Sequence, residues 1–268
     1  MIVIKMGGAE GVNLDAICQD VAALVKQGQA VVMVHGGSAE TNLISTQLGH
    51  PPRFVTSTSG FTSRYTDRDT LEIFAMVTSG KINTLLVERL QRFGVNAFGL
   101  SGVDGRTILA QRKEAIRVIE NGRKIMLRDD YTGKITSVNA DLIHLLLQAG
   151  LTPVIAPLAL SPEGDALNVD ADRAAAMVAG AVKAEKLILL TNVPGLMRSF
   201  PDESTLISHI AAKDLEQALG FAEGRMKKKV LGASEALELG VGSIIFADGR
   251  VEHPVLEALA GKGTVISA

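Results

Sequence analysis

The feature that most constrains this chain is the return of short runs that are apolar from end to end. "IVIKM", "AVVMV", "NAFGL", "TPVIAP", "KLILL", "GSIIFA" and "GTVIS" are spread over its whole length. Most do not alternate with polar residues, which is the pattern of strands covered on both faces. Between them, residues 13–27, 38–48, 68–93, 139–149, 171–182 and 224–239 carry apolar positions at helical spacing. Strands that alternate with helices need crossover connections, and crossovers build a mainly parallel sheet in an α/β fold. One stretch departs from the rhythm. Residues 105–137 alternate polar and apolar around "ENGRK", which predicts antiparallel hairpins at one edge. "PPRFVTSTSGFTSRYTD" reads as a long polar loop.

The chain has 268 residues, of which 47% are apolar and 21% charged, so it can bury a sizeable core and is not a disordered chain. A net charge of −2 gives no global basic field for nucleic acid. Cys18 is the only cysteine and cannot form an intramolecular disulfide; it sits on the apolar face of "LDAICQDVAALV", where core packing accounts for it. Five scattered histidines and no CxxC argue against a structural zinc, and no protein-held metal is expected. No apolar run reaches the ~20 residues of a membrane span, and the N-terminus lacks the pattern of a signal peptide. A soluble cytoplasmic protein with neither membrane nor nucleic acid as partner is expected.

Two strand-to-helix turns are alike. The first strand ends in "KMGGAEG", with Lys5, Gly7 and Gly8, and the second in "VHGGSAE", with His35, Gly36 and Gly37. In open α/β sheets ligands bind at such turns. Bare glycines allow close backbone approach, and the following helix offers unpaired N–H groups and the positive end of its dipole. A single Gly-Gly pair can be only a tight turn; two after consecutive strands, one beside a lysine, make an anion cradle. No GxxxxGK[ST] loop is present, and "ALAGKGT" fails as one because Gly263 follows Lys262. No GxGxxG follows the first strand, which speaks against a dinucleotide-dependent oxidoreductase. "GLSGVDGR" is a third glycine turn. In "LLTNVPGLM", Thr191 and Asn192 stand at a strand end before the Pro194-Gly195 turn, which suits either a nucleotide pocket or a plain turn.

Charged residues gather in two further places. Asn168, Asp170 and Asp172 open the helix of "LNVDADRAAAMVAGAV", and one acid there would suffice as a cap. Arg225, Lys227, Lys228 and Lys229 open another helix, where cations oppose the dipole by roughly 0.3–1 kcal/mol each when exposed. That placement suits an anionic partner or a solvated face. Arg53 and Arg64 lie in the polar segment before residue 67 and suit carboxylates. Phosphoryl transfer needs these parts, because its catalysis is largely positioning and electrostatic stabilisation.

The pieces "KMGG", "VHGG", "SRYTD", "GLSGVDG", "DYTGKI", "NVDAD", "LTNVPGL" and "GRMKKKV", in this order, resemble the amino-acid kinase family over essentially the whole chain. "KMGGAEG", "HGGSAETN", "GHPPRF" and "EGRMKKKVLGA" are similar to its branch that phosphorylates aminoadipate on a small acidic amino-group carrier protein of the LysW kind. The resemblance implies a three-layer αβα sandwich around an open, mainly parallel sheet of about eight strands, with the hairpins at an edge. It implies one kinase domain in two lobes, 1–157 for acceptor and dimerisation and 158–268 for ATP, with the crossing in "LTPVIAPLALSPEGD". It implies a homodimer, ATP with Mg²⁺ held mainly by the ATP phosphates, and an acyl phosphate product. By matching position, Lys5 and Lys229 stabilise the transition state and Asp172 aligns them. Gly7, Gly8, Gly36 and Gly37 form the phosphate cradle, with Gly8 and Gly37 donating N–H groups. Arg64 and Asn168 hold the amino-acid end, with His35, Gly36 and Gly37 lining its pocket. Thr191, Asn192 and Gly195 border the nucleotide. Arg53, Arg225, Lys227 and Lys228 offer a basic rim to an acidic carrier. Two positions depart from the free-substrate N-acetylglutamate kinases: Asp170 replaces a second asparagine, and Ser38 replaces a third glycine. N-acetylglutamate kinase is the nearest rival reading; a non-catalytic ATP sensor is a rival of another class.

Overall fold

The computed structural model describes residues 1–8, 11–58, 60, 62–113, 115–120, 123–222 and 224–267, without the side chains of residues 120, 224 and 225. Residues 121 and 122 of the "ENGRK" turn, residues 9 and 10 of the first glycine turn and the Arg225 side chain therefore lie outside the described residues.

The first four elements repeat one unit: β1 (Ile2–Met6), α1 (Leu14–Lys26), β2 (Val31–His35) and α2 (Ser38–Gln47). All five residues of β1 and of β2 are buried, as their unbroken apolar runs require. Asn13 caps α1 by accepting from the Ala16 N–H. The expected polar loop is instead a hairpin of β3 (Phe54–Ser57) and β4 (Thr62–Arg64). Its threonines favour extended backbone, and polarity concealed the strands. Next come α3 (Arg68–Ala75), a π-helical segment (Met76–Ile82) and α4 (Asn83–Arg92), a continuous rod where the spacing predicts one helix.

β5 (Ala97–Ser101) leads to four strands, β6 (Ile108–Arg112), β7 (Ile116–Glu120), β8 (Arg123–Leu127) and β9 (Gly133–Val138). α5 (Ala140–Gln148), β10 (Thr152–Ala156), β11 (Leu158–Leu160), β12 (Ala166–Asn168) and α6 (Ala171–Ala181) follow. The chain ends with β13 (Lys186–Thr191), β14 (His209–Ala211), α7 (Leu215–Ala218), α8 (Gly224–Glu238), β15 (Ser243–Asp248), α9 (Pro254–Leu259) and β16 (Thr264–Ser267). The short strand β14 and helix α9 carry too few residues to show a period and were not expected.

The large sheet has eight strands in the order β14-β16-β15-β13-β1-β2-β10-β5, parallel except between β15 and β16. The predicted hairpins exist but do not lengthen this sheet. They enter two smaller sheets, β12-β11-β6-β9 and β4-β3-β7-β8. Helices cover both faces of the large sheet. Val3, Val32 and Val34 pack with Ala174, Ala175 and Val178 of α6 and Val230 of α8. Ile2, Ile4 and Met33 pack with Ile17, Leu86, Leu90 and Val255 on the opposite side. Lys5 follows the period of Val3, so it projects toward α6 and α8. The sheet draws strands from before and after residue 157, so both halves of the chain share it.

Candidate active site

Three charged side chains from distant parts of the chain meet at the carboxyl end of β1. The Lys5 Nζ lies 2.7 Å from Asp172 Oδ1, and the Lys229 Nζ lies 2.7 Å from Asp172 Oδ2. The fold makes this meeting compulsory. β1 lies inside the sheet, α6 packs over it, and α8 packs over α6. Ala174, Ala175, Ala176 and Ala179 are all fully buried and let these elements close in. Asp172 sits in the first turn of α6, where the helix dipole also favours a carboxylate.

The side chains of Lys5, Asp172 and Lys229 are only 5%, 12% and 14% exposed. Burial raises the Asp172 pKa, but the charges of Lys5 and then Lys229 outweigh it and hold the carboxyl far below the usual range. Burial and then repulsion from Lys5 lower the Lys229 pKa, against the pull of Asp172. With both lysines charged, two cations face one carboxylate, and the excess positive charge is directed at whatever anion enters.

The two glycine turns lie against each other. A Cβ on Gly8 would stand 2.5 Å from the Gly37 nitrogen, and one on Gly36 would stand 3.0 Å from the Gly8 nitrogen. None of Gly7, Gly8, Gly36 and Gly37 has positive φ, so these positions are bare for close approach and not for handedness. Their N–H groups divide. Gly7 donates to the Leu190 carbonyl at 3.1 Å and Gly36 to the Met6 carbonyl at 3.0 Å, which merely extends the sheet. The Gly7 and Gly36 amides are therefore already engaged within the sheet. Among the described residues the N–H groups of Gly8 and Gly37 have no hydrogen-bond partner.

Arg64 ends β4 and is buried, 7% exposed, beneath the Phe54 ring at 5.3 Å. Its Nη2 donates to Asn42 Oδ1 at 2.5 Å and to the Ser38 carbonyl at 3.2 Å, so it leans on the helix that starts at the second glycine turn. Its Nη1 is buried with no partner among the described residues. A buried cationic N–H without an acceptor is costly and marks a place for an anion. Asn168 Nδ2 donates to Thr66 Oγ1 at 3.0 Å. Thr66 in turn donates its N–H to Asp130 Oδ1 at 2.9 Å, and Thr132 donates its hydroxyl to Asp130 Oδ2. Asp130 is fully buried. Thr66 and Asp130 lie inside "SRYTD" and "DYTGKI", yet no spacing in the sequence gave them a part in the site.

His35 is only 1% exposed and turns into the protein. Its Nε2 faces Asn83 Nδ2 at 3.0 Å. The His35 side chain is thus engaged inside the protein and not on its surface. Asn83, the first residue of α4, was also missed; an amide at an apolar position of a helical pattern was its one signal. Asp170 caps α6, accepting from the N–H groups of Asp172 and Arg173 at 3.0 Å each, which accounts for the aspartate at this place.

At the end of β13, Thr191 Oγ1 donates to the Val193 carbonyl at 2.7 Å and shapes the turn, and Asn192 is exposed. Gly195 is bare because a Cβ there would lie 2.5 Å from Thr264 Oγ1. In the basic cluster, Lys227 is exposed, whereas Lys228 Nζ donates to the Thr62 carbonyl and ties α8 to the β3–β4 hairpin. The Arg53 guanidinium lies 5.2 Å from the Tyr65 ring centre.

A model of the amino acid kinase family matches residues 1–248. The chain belongs to the amino acid kinase family. Membership of a kinase family implies the use of ATP. Within the family, a Deinococcus radiodurans protein named [LysW]-aminoadipate kinase is 57% identical over 267 residues, covering 100% of this chain and 91% of the relative. A Thermus thermophilus protein of the same name is 52% identical over 268 residues, covering 99% of this chain and 100% of the relative. Among solved structures, N-acetylglutamate synthase from Neisseria gonorrhoeae, complexed with coenzyme A and N-acetyl-glutamate, matches with a TM-score of 0.81 at 25% identity. That match covers 100% of this chain and 59% of the synthase. Among the described residues no helix is long and apolar enough to cross a membrane.

Proposed function

We propose that this chain transfers the γ-phosphoryl group of ATP to the side-chain carboxylate of 2-aminoadipate held on a LysW-type carrier protein, on the route to lysine. The observation that carries the reading is the Lys5–Asp172–Lys229 cluster, with 2.7 Å from each lysine to the carboxylate between them. The names of relatives at 57% and 52% identity support the acceptor. A carrier-bound glutamate is the alternative acceptor of the same chemistry.

An acceptor carboxylate oxygen attacks the γ-phosphorus. The bond from that phosphorus to the β,γ-bridging oxygen breaks, giving an acyl phosphate and ADP. The carboxylate is already ionised, so no general base is needed. Charge spreads over the transferred oxygens, where Lys5, Lys229 and the Gly8 and Gly37 amides meet it. Asp172 keeps the two lysines from repelling each other apart. The unpartnered Arg64 Nη1, with Asn168, holds the amino-acid end of the acceptor. Thr191, Asn192 and Gly195 border the nucleotide.

Mg²⁺ neutralises phosphate charge in such transfers. Both Asp172 oxygens are taken by lysines, Asp170 caps α6, and no three His, Cys, Asp or Glu side chains cluster among the described residues. These donors fit an ion carried on the ATP phosphates rather than in a protein cage. The lobes 1–157 and 158–268 divide the labour between acceptor and ATP, although Asn168 and Lys5 each serve the other side. Arg53 and Lys227 form the rim that meets an acidic carrier, and the active form is a homodimer.

The test is ATP turnover measured in parallel with carrier-bound aminoadipate, carrier-bound glutamate and free N-acetylglutamate. Turnover with carrier-bound aminoadipate is expected. Turnover with free N-acetylglutamate alone would reassign the acceptor, and no turnover with any carboxylate would favour an ATP sensor.

A further inference from the structure

We propose that Asn83 is a positioning residue for phosphoryl transfer: it fixes the tautomer of His35 and, through it, the direction of the Gly37 amide. The inference rests on the reading above only in what the amide does there. Its structural half stands alone.

The argument starts at a carbonyl. Asn83 is 5% exposed, and its side-chain amide lies 2.9 Å from the Val154 carbonyl of β10 and 3.0 Å from His35 Nε2. A backbone carbonyl only accepts, so the Asn83 group that faces it must be the NH₂ and not the oxygen. The second hydrogen of that NH₂ points at His35 Nε2, which must therefore accept. A neutral imidazole that accepts at Nε2 carries its proton on Nδ1. His35 Nδ1 lies 3.2 Å from the Gly36 carbonyl, which receives that proton as a hydrogen bond. In a trans peptide the C=O and the next N–H point in opposite directions. Holding the Gly36 oxygen toward His35 therefore turns the Gly37 N–H away from it, into the gap between the glycine turns.

The surroundings support each link. A Cβ on Gly99 would lie 2.1 Å from Asn83 Oδ1, so only glycine on β5 leaves room for this amide. A Cβ on Gly37 would lie 2.7 Å from Ile82 Cδ1 and 2.8 Å from Thr78 Cγ2, so the π-helical segment packs directly on the same turn. That segment ends at Ile82, one residue before Asn83, and π-type turns inside helices are frequent at functional sites. Burial first, and also the charge of Lys5, push the His35 pKa down to about 4, although its bond to Gly36 opposes this. The ring is thus neutral through the working range, as a fixed tautomer requires.

The experiment has two readouts. Long-range ¹H–¹⁵N NMR of the ¹⁵N-labelled, ligand-free wild type reports which ring nitrogen of His35 is protonated, and needs no activity. The Nδ1–H form at neutral pH is expected; an Nε2–H form or an imidazolium would overturn the proposal. Steady-state kinetics then compare wild type with Asn83→Leu, which removes the donor, and Asn83→Asp, which keeps the shape. In both, kcat is expected to fall 10- to 100-fold, the range for residues that orient a reacting group, with the KM for ATP and acceptor within about threefold. Asn83→Leu is expected to lose the single Nδ1–H signature. A folded variant with unchanged kcat would overturn the proposal. Should Asn83→Leu not fold, the wild-type tautomer and the Asn83→Asp kinetics still decide it. Absence of turnover in the wild type, with the expected tautomer, would count against the assigned reaction and not against the tautomer.

Discussion

The two ends of the site handle buried charge in opposite ways. At the proposed phosphoryl end, each lysine is already bonded to Asp172, at 2.7 Å. At the proposed acceptor end, Arg64 has a guanidinium nitrogen buried with no partner among the described residues. The first end is complete before ligand arrives and presents a rigid excess of positive charge. The second is completed by what binds. Preorganised charge serves the transition state, which exists too briefly to organise anything. An unsatisfied cation serves ground-state recognition, because it rejects any molecule that cannot supply the acceptor.

Three substitutions test this contrast, in descending order of effect. Lys229→Ala removes one of the two preorganised cations and with it the excess positive charge. Steady-state assays are expected to show kcat lower by ~10²-fold or more, with ATP affinity from titration within a few fold. A large loss of ATP affinity with little change in kcat would place Lys229 in binding instead. Arg64→Lys keeps the charge but not the fork. Because a hydrogen bond to a charged group is worth ~1.5–3 kcal/mol, the acceptor KM is expected to rise roughly 10- to 100-fold while kcat changes little. An equal fall in kcat and kcat/KM would show that Arg64 acts in the transition state and would erase the contrast. Asp130→Asn is the mildest. The amide oxygen can still accept from the Thr66 N–H, and the Thr132 hydroxyl can reverse its bond. Only the charge assistance on the bonds behind Asn168 is lost, so the acceptor KM is expected to rise roughly three- to tenfold. An effect on the KM for ATP of the same size would disconnect Asp130 from the acceptor.

Much of this was legible in the sequence. The apolar runs specified their strands because burial on both faces leaves no other use for them. Lys5 stood out as a cation inside such a run, and the two Gly-Gly turns as backbone kept bare. The period-2 spacing puts Lys5 on the same side of the sheet as Val3, and packing decides which side that is. The order of the motifs was enough to identify the family. Polar strands were harder to read. Phe54–Ser57 and Thr62–Arg64 look like loop because they are short and mostly polar, with an exposed Phe54 on one strand and a buried Arg64 on the other.

What the sequence could not hold is which polar groups spend their hydrogen bonds on one another. All four glycines of the two turns are alike on paper, yet folding engages the Gly7 and Gly36 amides and leaves those of Gly8 and Gly37 without a partner among the described residues. Asp170 and Asp172 are two residues apart and chemically identical. Tertiary structure makes one a helix cap and the other the clamp between two lysines. His35, Asn83, Thr66 and Asp130 find their hydrogen-bond partners 48 to 102 residues away in the chain. Hydrophobic burial is read residue by residue, because each side chain carries its own preference. Hydrogen bonding is a matter of pairs, and the pairs exist only once packing has chosen the neighbours.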